Sequence, residues 1–376
     1  MKYRYIDALR GIAILMVVFH HCFIEGLAQE QASMPKVLFV LANLSNKGVQ
    51  LFYVASALTI FLSMSRRIAT EVHSTRNFFI RRFFRIAPIY YLGIVYYLLY
   101  NGLSPCYDTD WQPLSWWYFV ANATFTHGFF PYAINSVVKG GWSIGVEMMF
   151  YATAPWLFAV VKNGRSAMWF LAFGVVFALA CNVFFAYVPL VENRLVWTNF
   201  LAYYFPNQLP LFAMGMVLYF MIEEPNQRSI LSVYGFGGFL MVLGVLCWVL
   251  LSGFLGVAKP VHLLFGFVFV GFAYYLSQCE THFLFNKILI HIGKVSFSLY
   301  ICHFAVIYWL HELGLENFVG NESSWRSAAN LLIRFAVVLP VSVGIATVLY
   351  YYFEIPAQKL GNRFITKMNF KPSTVI

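Results

Sequence analysis

Residues 6–26 read Ile6-Asp7-Ala8-Leu9-Arg10-Gly11-Ile12-Ala13-Ile14-Leu15-Met16-Val17-Val18-Phe19-His20-His21-Cys22-Phe23-Ile24-Glu25-Gly26. A run of roughly 20 mostly apolar residues is what an α-helix needs to cross the hydrocarbon core of a bilayer. Asp7 and Arg10 interrupt its start, and no small-residue cleavage site follows clearly. The segment therefore reads as a retained first span and not as a removed signal.

Similar runs recur along the chain, at 48–64, 83–101, 141–161, 168–188, 201–222, 231–252, 261–278, 295–313 and 330–353. The expectation is an all-α, polytopic membrane helical bundle of about ten transmembrane helices. Composition agrees, because 61% of the 376 residues are hydrophobic and only 11% charged, whereas a soluble domain carries about 25% charged residues. Aromatic residues make up 20%, and such rings gather at membrane interfaces. The stretch 116–130 is aromatic but short, and Asn122, Thr124 and His127 break it, so it reads as an interfacial or re-entrant piece.

The net charge of +10 raises nucleic acid as a partner, but the basic residues sit in short loops between apolar runs. The positive-inside bias and attraction to anionic lipid headgroups account for them more simply. With both termini cytoplasmic, eighteen of the 25 Lys and Arg residues fall inside and seven outside. An eleventh span at 116–130 would invert everything after it and spoil that asymmetry. The division expected is a membrane domain over 1–363 and a short basic cytoplasmic tail over 364–376. The six cysteines are scattered without metal-type spacing, and neither a zinc site nor a disulfide framework is expected.

Several residues could carry chemistry. Arg10 and His21 are eleven positions apart, close to three helical turns, so both project from one face about 16 Å apart along the axis. His20 points about 100° away. An imidazole titrates near neutrality and suits proton transfer or nucleophilic attack. A lone intramembrane His can equally do no more than bond a polar group in the bundle. Arg66, Arg67, Arg76, Arg81, Arg82 and Arg85 cluster ahead of Ile86-Ala87-Pro88. Guanidinium forks recognise phosphates, although orientation and headgroup contact explain a basic cluster as well. Glu147, in Trp142-Ser143-Ile144-Gly145-Val146-Glu147, lies inside the fourth span and needs an Arg, His or hydroxyl partner there. Trp142 alone would be an interface anchor. His303 is a second intramembrane imidazole, with Ser296 and Tyr300 within two turns on a similar face. Glu354-Ile355-Pro356 closes the last span, where Pro is an ordinary helix-ending signal.

Taken in order, these elements resemble the acyltransferase-3 family of integral membrane O-acyltransferases. Asp7-Ala8-Leu9-Arg10-Gly11 with His20-His21 resembles its opening signature, and Gly48-Val49-Gln50-Leu51-Phe52-Tyr53-Val54-Ala55-Ser56 its second-span motif. Arg81-Arg82 with Arg85-Ile86-Ala87-Pro88 resembles the third, and Trp142-Ser143 with Glu147 and Phe150-Tyr151 the fourth. Ser298-Leu299-Tyr300 with His303, then Glu354 and Pro356, match the closing ones. Four positions depart from the pattern. Gln50 stands where an acidic residue is usual, Ser56-Ala57-Leu58 replaces Ser-Gly-Phe, and Met148 stands where a second Glu is usual.

The resemblance implies transfer of an acyl group, acetyl in the commonest case, from cytoplasmic acyl-CoA to a sugar hydroxyl of a surface polysaccharide or its lipid-linked precursor. It implies a multi-pass protein of a bacterial cytoplasmic membrane, acetyl-CoA as donor and no metal. On this reading His21 is general base or transient acyl acceptor, with Arg10, Glu147 and His303 as its catalytic companions. Arg10, Arg81, Arg82 and Arg85 hold the donor, and Trp142, Ser143 and Tyr300 meet the acceptor. A proton-coupled secondary transporter with His21, Glu147 and His303 in its pathway is the competing class. Against it, no second half of the chain repeats the first. A membrane scaffold or receptor would not need the Arg10/His21 face.

Overall fold

The apolar run that opens the chain is a helix, and the computed structural model describes residues 3–26, 28–104, 113–223, 261–279, 281–320 and 323–369. Its helices are α1 (Arg4–Ile24), α2 (Ala28–Ser33), α3 (Lys36–Leu44), α4 (Gly48–Arg67), α5 (Ser74–Asn101), α6 (Trp116–Ala123), α7 (Gly141–Val160), α8 (Gly164–Tyr187), α9 (Arg194–Tyr203), α10 (Phe205–Glu223), α11 (Val261–Gln278), α12 (Lys287–Lys294), α13 (Ser296–Glu312), α14 (Ser324–Leu349) and α15 (Ile355–Asn369). No strand occurs among the described residues. Several starts are set by side-chain caps that satisfy otherwise orphaned amides. Asn163 and Ser166 form a capping box on α8, Asn193 caps α9, Asn286 caps α12 and Ser323 caps α14.

Eight described helical stretches are long and apolar enough to cross a membrane, and α12 with α13 forms a further pair bent by 82°. Nine of the ten expected spans thus coincide with helices, the ninth entered through the bend. The remaining one, 231–252, lies outside the described residues. The chain is a polytopic, all-α membrane protein. The eight-residue α6 is too short to cross a bilayer.

The last helical stretch differs from its sequence reading. Helix continues through Pro356, with a π-helical turn at Tyr350–Glu354 followed by α15 to Asn369. The π-turn just ahead of it already breaks the i→i−4 register, so a residue without an N–H is accommodated there.

Two compact units make up the chain, Met1–Ala55 with Tyr275–Tyr351 and Ser56–Tyr274 with Tyr352–Ile376. The chain passes from the first to the second inside α4. In the first unit α1 is the central helix, contacted by α3, α12, α13 and α14. Its approach to α12 is backbone to backbone: a Cβ on Gly293 would stand 1.8 Å from the carbonyl oxygen of Asp7, and one on Gly11 2.6 Å from that of Leu289. Only glycine fits between such surfaces.

In the second unit α10 packs along α8 and touches α7. Asn182 donates to Asn207 across the α8–α10 seam at 3.1 Å, and Phe150 stacks on Phe212 at 4.2 Å. The amphipathic α15 lies against α5, with Phe364 stacked on Phe84. Lys359, Arg363 and Lys367 form an exposed stripe along it.

Candidate active site

His21 lies in the last turn of α1 and His303 in the middle of α13. Packing of these helices brings His21 Nδ1 to 3.0 Å from His303 Nε2. His303 is fully buried, and its Nδ1 is 3.2 Å from the carbonyl oxygen of Leu299, one turn back. A carbonyl oxygen only accepts, so His303 carries its proton on Nδ1 and presents a lone pair at Nε2. His21 must then donate from Nδ1, which leaves the lone pair of its neutral ring on Nε2. The hydrogen-bond chain thereby selects the tautomer of His21 that can take a proton or attack a carbonyl at Nε2.

Rings enclose the pair. Phe304 lies 4.3 Å from the His21 ring and 4.2 Å from that of His303. Tyr300 lies 5.8 Å from His303 and meets Phe52 edge-on at 6.4 Å. The α13 positions expected to act together, Tyr300 and His303, are therefore neighbours of the His21 end of α1. His20 is turned aside, its Nδ1 hydrogen-bonded to the carbonyl of Ala42 at 2.9 Å. Arg10 is half-buried in the first half of α1.

The second unit holds the other candidates. Glu147 finds two hydroxyls: Ser56 Oγ donates to its Oε1 at 2.6 Å, and the Tyr151 hydroxyl, one helical turn on, donates to the same oxygen. Arg82 is nearly buried, with its guanidinium over the rings of Tyr151 (5.3 Å) and Phe78 (5.5 Å). Ser56, Tyr151, Glu147 and Arg82 therefore form one cluster. Ser56 and Tyr151 stood inside motifs that resemble the family's, but no pattern in the chain links them to one carboxylate.

Arg81 is engaged differently. It makes a bidentate pair with Glu71, at 2.9 and 3.0 Å, which Arg67 and Asn77 join. Partial burial disfavours the charged carboxyl of Glu71, but the hydrogen bonds from Arg81 and Asn77 outweigh it and hold the group below its ordinary value. Arg85 lies one turn beyond Arg81 on α5.

Trp142 stacks on Tyr203 at 4.4 Å, and Ser143 is buried with its hydroxyl donating to the carbonyl of Gly140 at 3.1 Å. Both fix the start of α7. A buried knot beside them escaped the sequence reading. His127 Nε2 is 3.0 Å from the carbonyl of Gly141 and 3.3 Å from the hydroxyl of Tyr90, which itself donates to Asn122 at 2.6 Å. His127 lies between spans, and burial pushes its imidazole down to about 4, so it is neutral at physiological pH. It ties the segment between α6 and α7 to the helix that carries Glu147.

A family model described as an acyltransferase domain matches residues 3–351. The peptidoglycan O-acetyltransferase OatA of Listeria monocytogenes is 24% identical over 389 residues, with 95% of this chain and 56% of OatA covered. The acyltransferase MdmB of Streptomyces mycarofaciens is 22% identical over 389 residues, with 95% of this chain and 92% of MdmB covered. The chain thus spans little more than half of OatA and nearly all of MdmB. No solved structure matches it. With the match running through both units, from the first turn of α1 to the end of α14, the chain belongs to the acyltransferase-3 family.

Proposed function

We propose that this protein is a membrane-embedded O-acyltransferase that moves an acyl group from cytoplasmic acyl-CoA to a sugar hydroxyl. The observation that carries the reading is the chain from the Leu299 carbonyl through His303 to His21, which leaves a lone pair on His21 Nε2. In direct transfer, Nε2 takes the proton of the acceptor hydroxyl as its oxygen attacks the thioester carbonyl. The C–S bond breaks, and the departing thiolate recovers the proton from the imidazolium. In the relay form, Nε2 itself attacks the thioester carbonyl, the C–S bond breaks and CoA leaves as the thiolate; the acyl-imidazolium then gives its acyl group to the acceptor oxygen, whose proton goes to the thiolate.

The donor is a thioester with several phosphates. Arg82 and Arg85 are assigned to those phosphates, with Arg10 orienting the thioester end. Arg81 contributes by exchanging Glu71 for phosphate. Glu147, supported by Ser56 and Tyr151, suits hydrogen bonding to acceptor hydroxyls, and Trp142, Ser143 and Tyr300 are proposed as further acceptor contacts. The name of OatA makes peptidoglycan the first acceptor to test, followed by surface polysaccharides and their lipid-linked precursors. The membrane is assigned as the bacterial cytoplasmic one, with both termini on the CoA side.

The test is purified protein in liposomes given acetyl-CoA labelled in the acetyl group, with glycan acceptor supplied. Release of free CoA together with label on the glycan, both lost in His21→Gln, is the expected result. Normal transfer by His21→Gln at normal protein level overturns the assignment of His21. Proton-coupled movement of an unmodified solute without thioester consumption overturns the enzyme reading itself.

A further inference from the structure

The geometry points to Arg334 as the positioning residue of the His21–His303 pair, one guanidinium that fastens the exits of both histidine-bearing helices. Arg334 sits in α14 and is 1% exposed. Its Nη1 donates to the carbonyl of Cys22 at 2.8 Å and to Glu30 Oε1 at 3.2 Å. Its Nη2 donates to Glu30 Oε2 at 2.7 Å and to the carbonyl of Glu316 at 2.7 Å. Cys22 follows His21 directly at the end of α1. Glu316 follows the end of α13, the helix of His303. The same planar fork thus holds both backbones, and the Glu30 carboxylate, itself 1% exposed, neutralises it.

Local packing leaves the guanidinium little freedom. A Cβ on Gly26 would stand 2.5 Å from Nη1, so the chain after α1 passes close against it. Gln31 closes the same helix end, its amide directed at the carbonyls of Phe23 (3.3 Å) and Ile24 (3.2 Å). Ser33 meets Ser327 of α14 at 2.6 Å, and Phe19 packs edge-on against Phe335 at 5.3 Å. Residues on α14 therefore grip α1 on both sides of His21.

A fork of this shape matters for two reasons. Carbonyls at a helix C-terminus carry partial negative charge and attract a cation. The four Nη hydrogens lie in a fixed plane that reaches two backbones and a carboxylate at once, whereas a Lys ammonium is a compact point donor that cannot. Buried ion pairs are seldom net stabilisers, and their best-attested use is to fix register. Here the register that is fixed is that of α1 against α13, on which the His21–His303 hydrogen bond depends. The inference rests on the reading of His21 as the reacting base.

The test uses the full-length protein in nanodiscs, labelled with 15N-histidine, in four forms: wild type, Arg334→Lys, Arg334→Gln and Gly26→Ala. The last moves the guanidinium without removing it. Arg334→Lys is expected to lower kcat by about 10²-fold, with the KM for acetyl-CoA little changed. The His21 ring nitrogens are expected to change from one fixed tautomer to averaged signals. Gly26→Ala should move the same signals in the same direction. Should Arg334→Gln fail to accumulate, Arg334→Lys and Gly26→Ala decide the matter. Wild-type kcat and an unchanged His21 tautomer in both overturn the inference. If wild type and His21→Gln transfer acyl groups equally, the catalytic reading fails, while the nitrogen signals still decide what Arg334 positions.

Discussion

His21 and His303 are 282 residues apart in the chain and meet as a hydrogen-bonded imidazole pair at 3.0 Å, Nδ1 to Nε2. Because Leu299 fixes the proton of His303 on Nδ1, the pair is directional. The two members therefore have different expected phenotypes. His21→Gln removes the reacting nitrogen and should lower transfer by 10²-fold or more, roughly the contribution of a positioned base. His303→Gln should retain part of the activity, since an amide can still hydrogen-bond His21. His303→Leu should lose more than His303→Gln. Initial rates of CoA release from acetyl-CoA, at matched protein level, measure the order.

Glu147 takes two hydroxyl hydrogen bonds on one oxygen, from Ser56 and Tyr151. Ser56→Ala and Tyr151→Phe should each reduce kcat/KM for the acceptor several-fold. The double variant should cost less than the product of the two, because both act through one carboxylate. Acceptor-saturation curves on the three variants and Glu147→Gln check this.

Arg82 and Arg81 are separable. Arg82→Gln should raise the KM for acyl-CoA by about tenfold, the scale of one charge-assisted contact. Glu71→Gln releases Arg81 from its pair and should leave that KM unchanged or lower it. A rise in KM on Glu71→Gln would show that the Arg81–Glu71 pair holds the loop in shape and that Arg81 does not bind the donor.

His127 predicts a pH dependence of stability. Its folded value of about 4 lies below its ordinary 6.5, so the unfolded chain binds the proton more readily. Stability is unaffected above the ordinary value and falls as pH drops below it. The penalty grows through the interval and levels off below the folded value, at up to about 3 kcal/mol. Thermal melting of the detergent-solubilised protein between pH 7 and pH 4 should show this slope, and His127→Asn should flatten it.

Gly293 leaves no room for a side chain, a Cβ there standing 1.8 Å from the Asp7 carbonyl oxygen. Gly293→Ala must push α12 from α1 and should destabilise the protein by about 1–3 kcal/mol or more. The expected readout is a lowered melting temperature. Gly271→Ala, with nothing within 4 Å of the added carbon, is the control and should melt as wild type.

Much of the fold was legible because a bilayer span is a local property. Length and apolarity decide it, and nine of the ten expected spans coincide with described helices. The 82° break between α12 and α13 was less legible, since its local sign is a single glycine, Gly293, two residues before Val295. Pro356 misled as a stop signal because its meaning depends on the π-turn before it. In the candidate site, the need of Glu147 for a partner followed from its place in a span. That Ser56 and Tyr151 both donate to it did not.

The sequence by itself determined a multi-pass helical protein in which Arg10 and His21 share one helical face. Spacing along a single helix sets that relation, and no other part of the chain is needed for it. Only the tertiary structure decided that His303 gives His21 its tautomer, that Glu71 takes up Arg81, and that Arg334 grips the carbonyls of Cys22 and Glu316. The His303–His21 and Arg334–Cys22 contacts join segments distant in the chain through helix packing, while Glu71 reaches Arg81 across the turn that precedes α5. The register of one helix against another is set by close backbone approaches, such as Gly293 at Asp7, and by buried hydrogen bonds whose partners no periodicity in the chain can name.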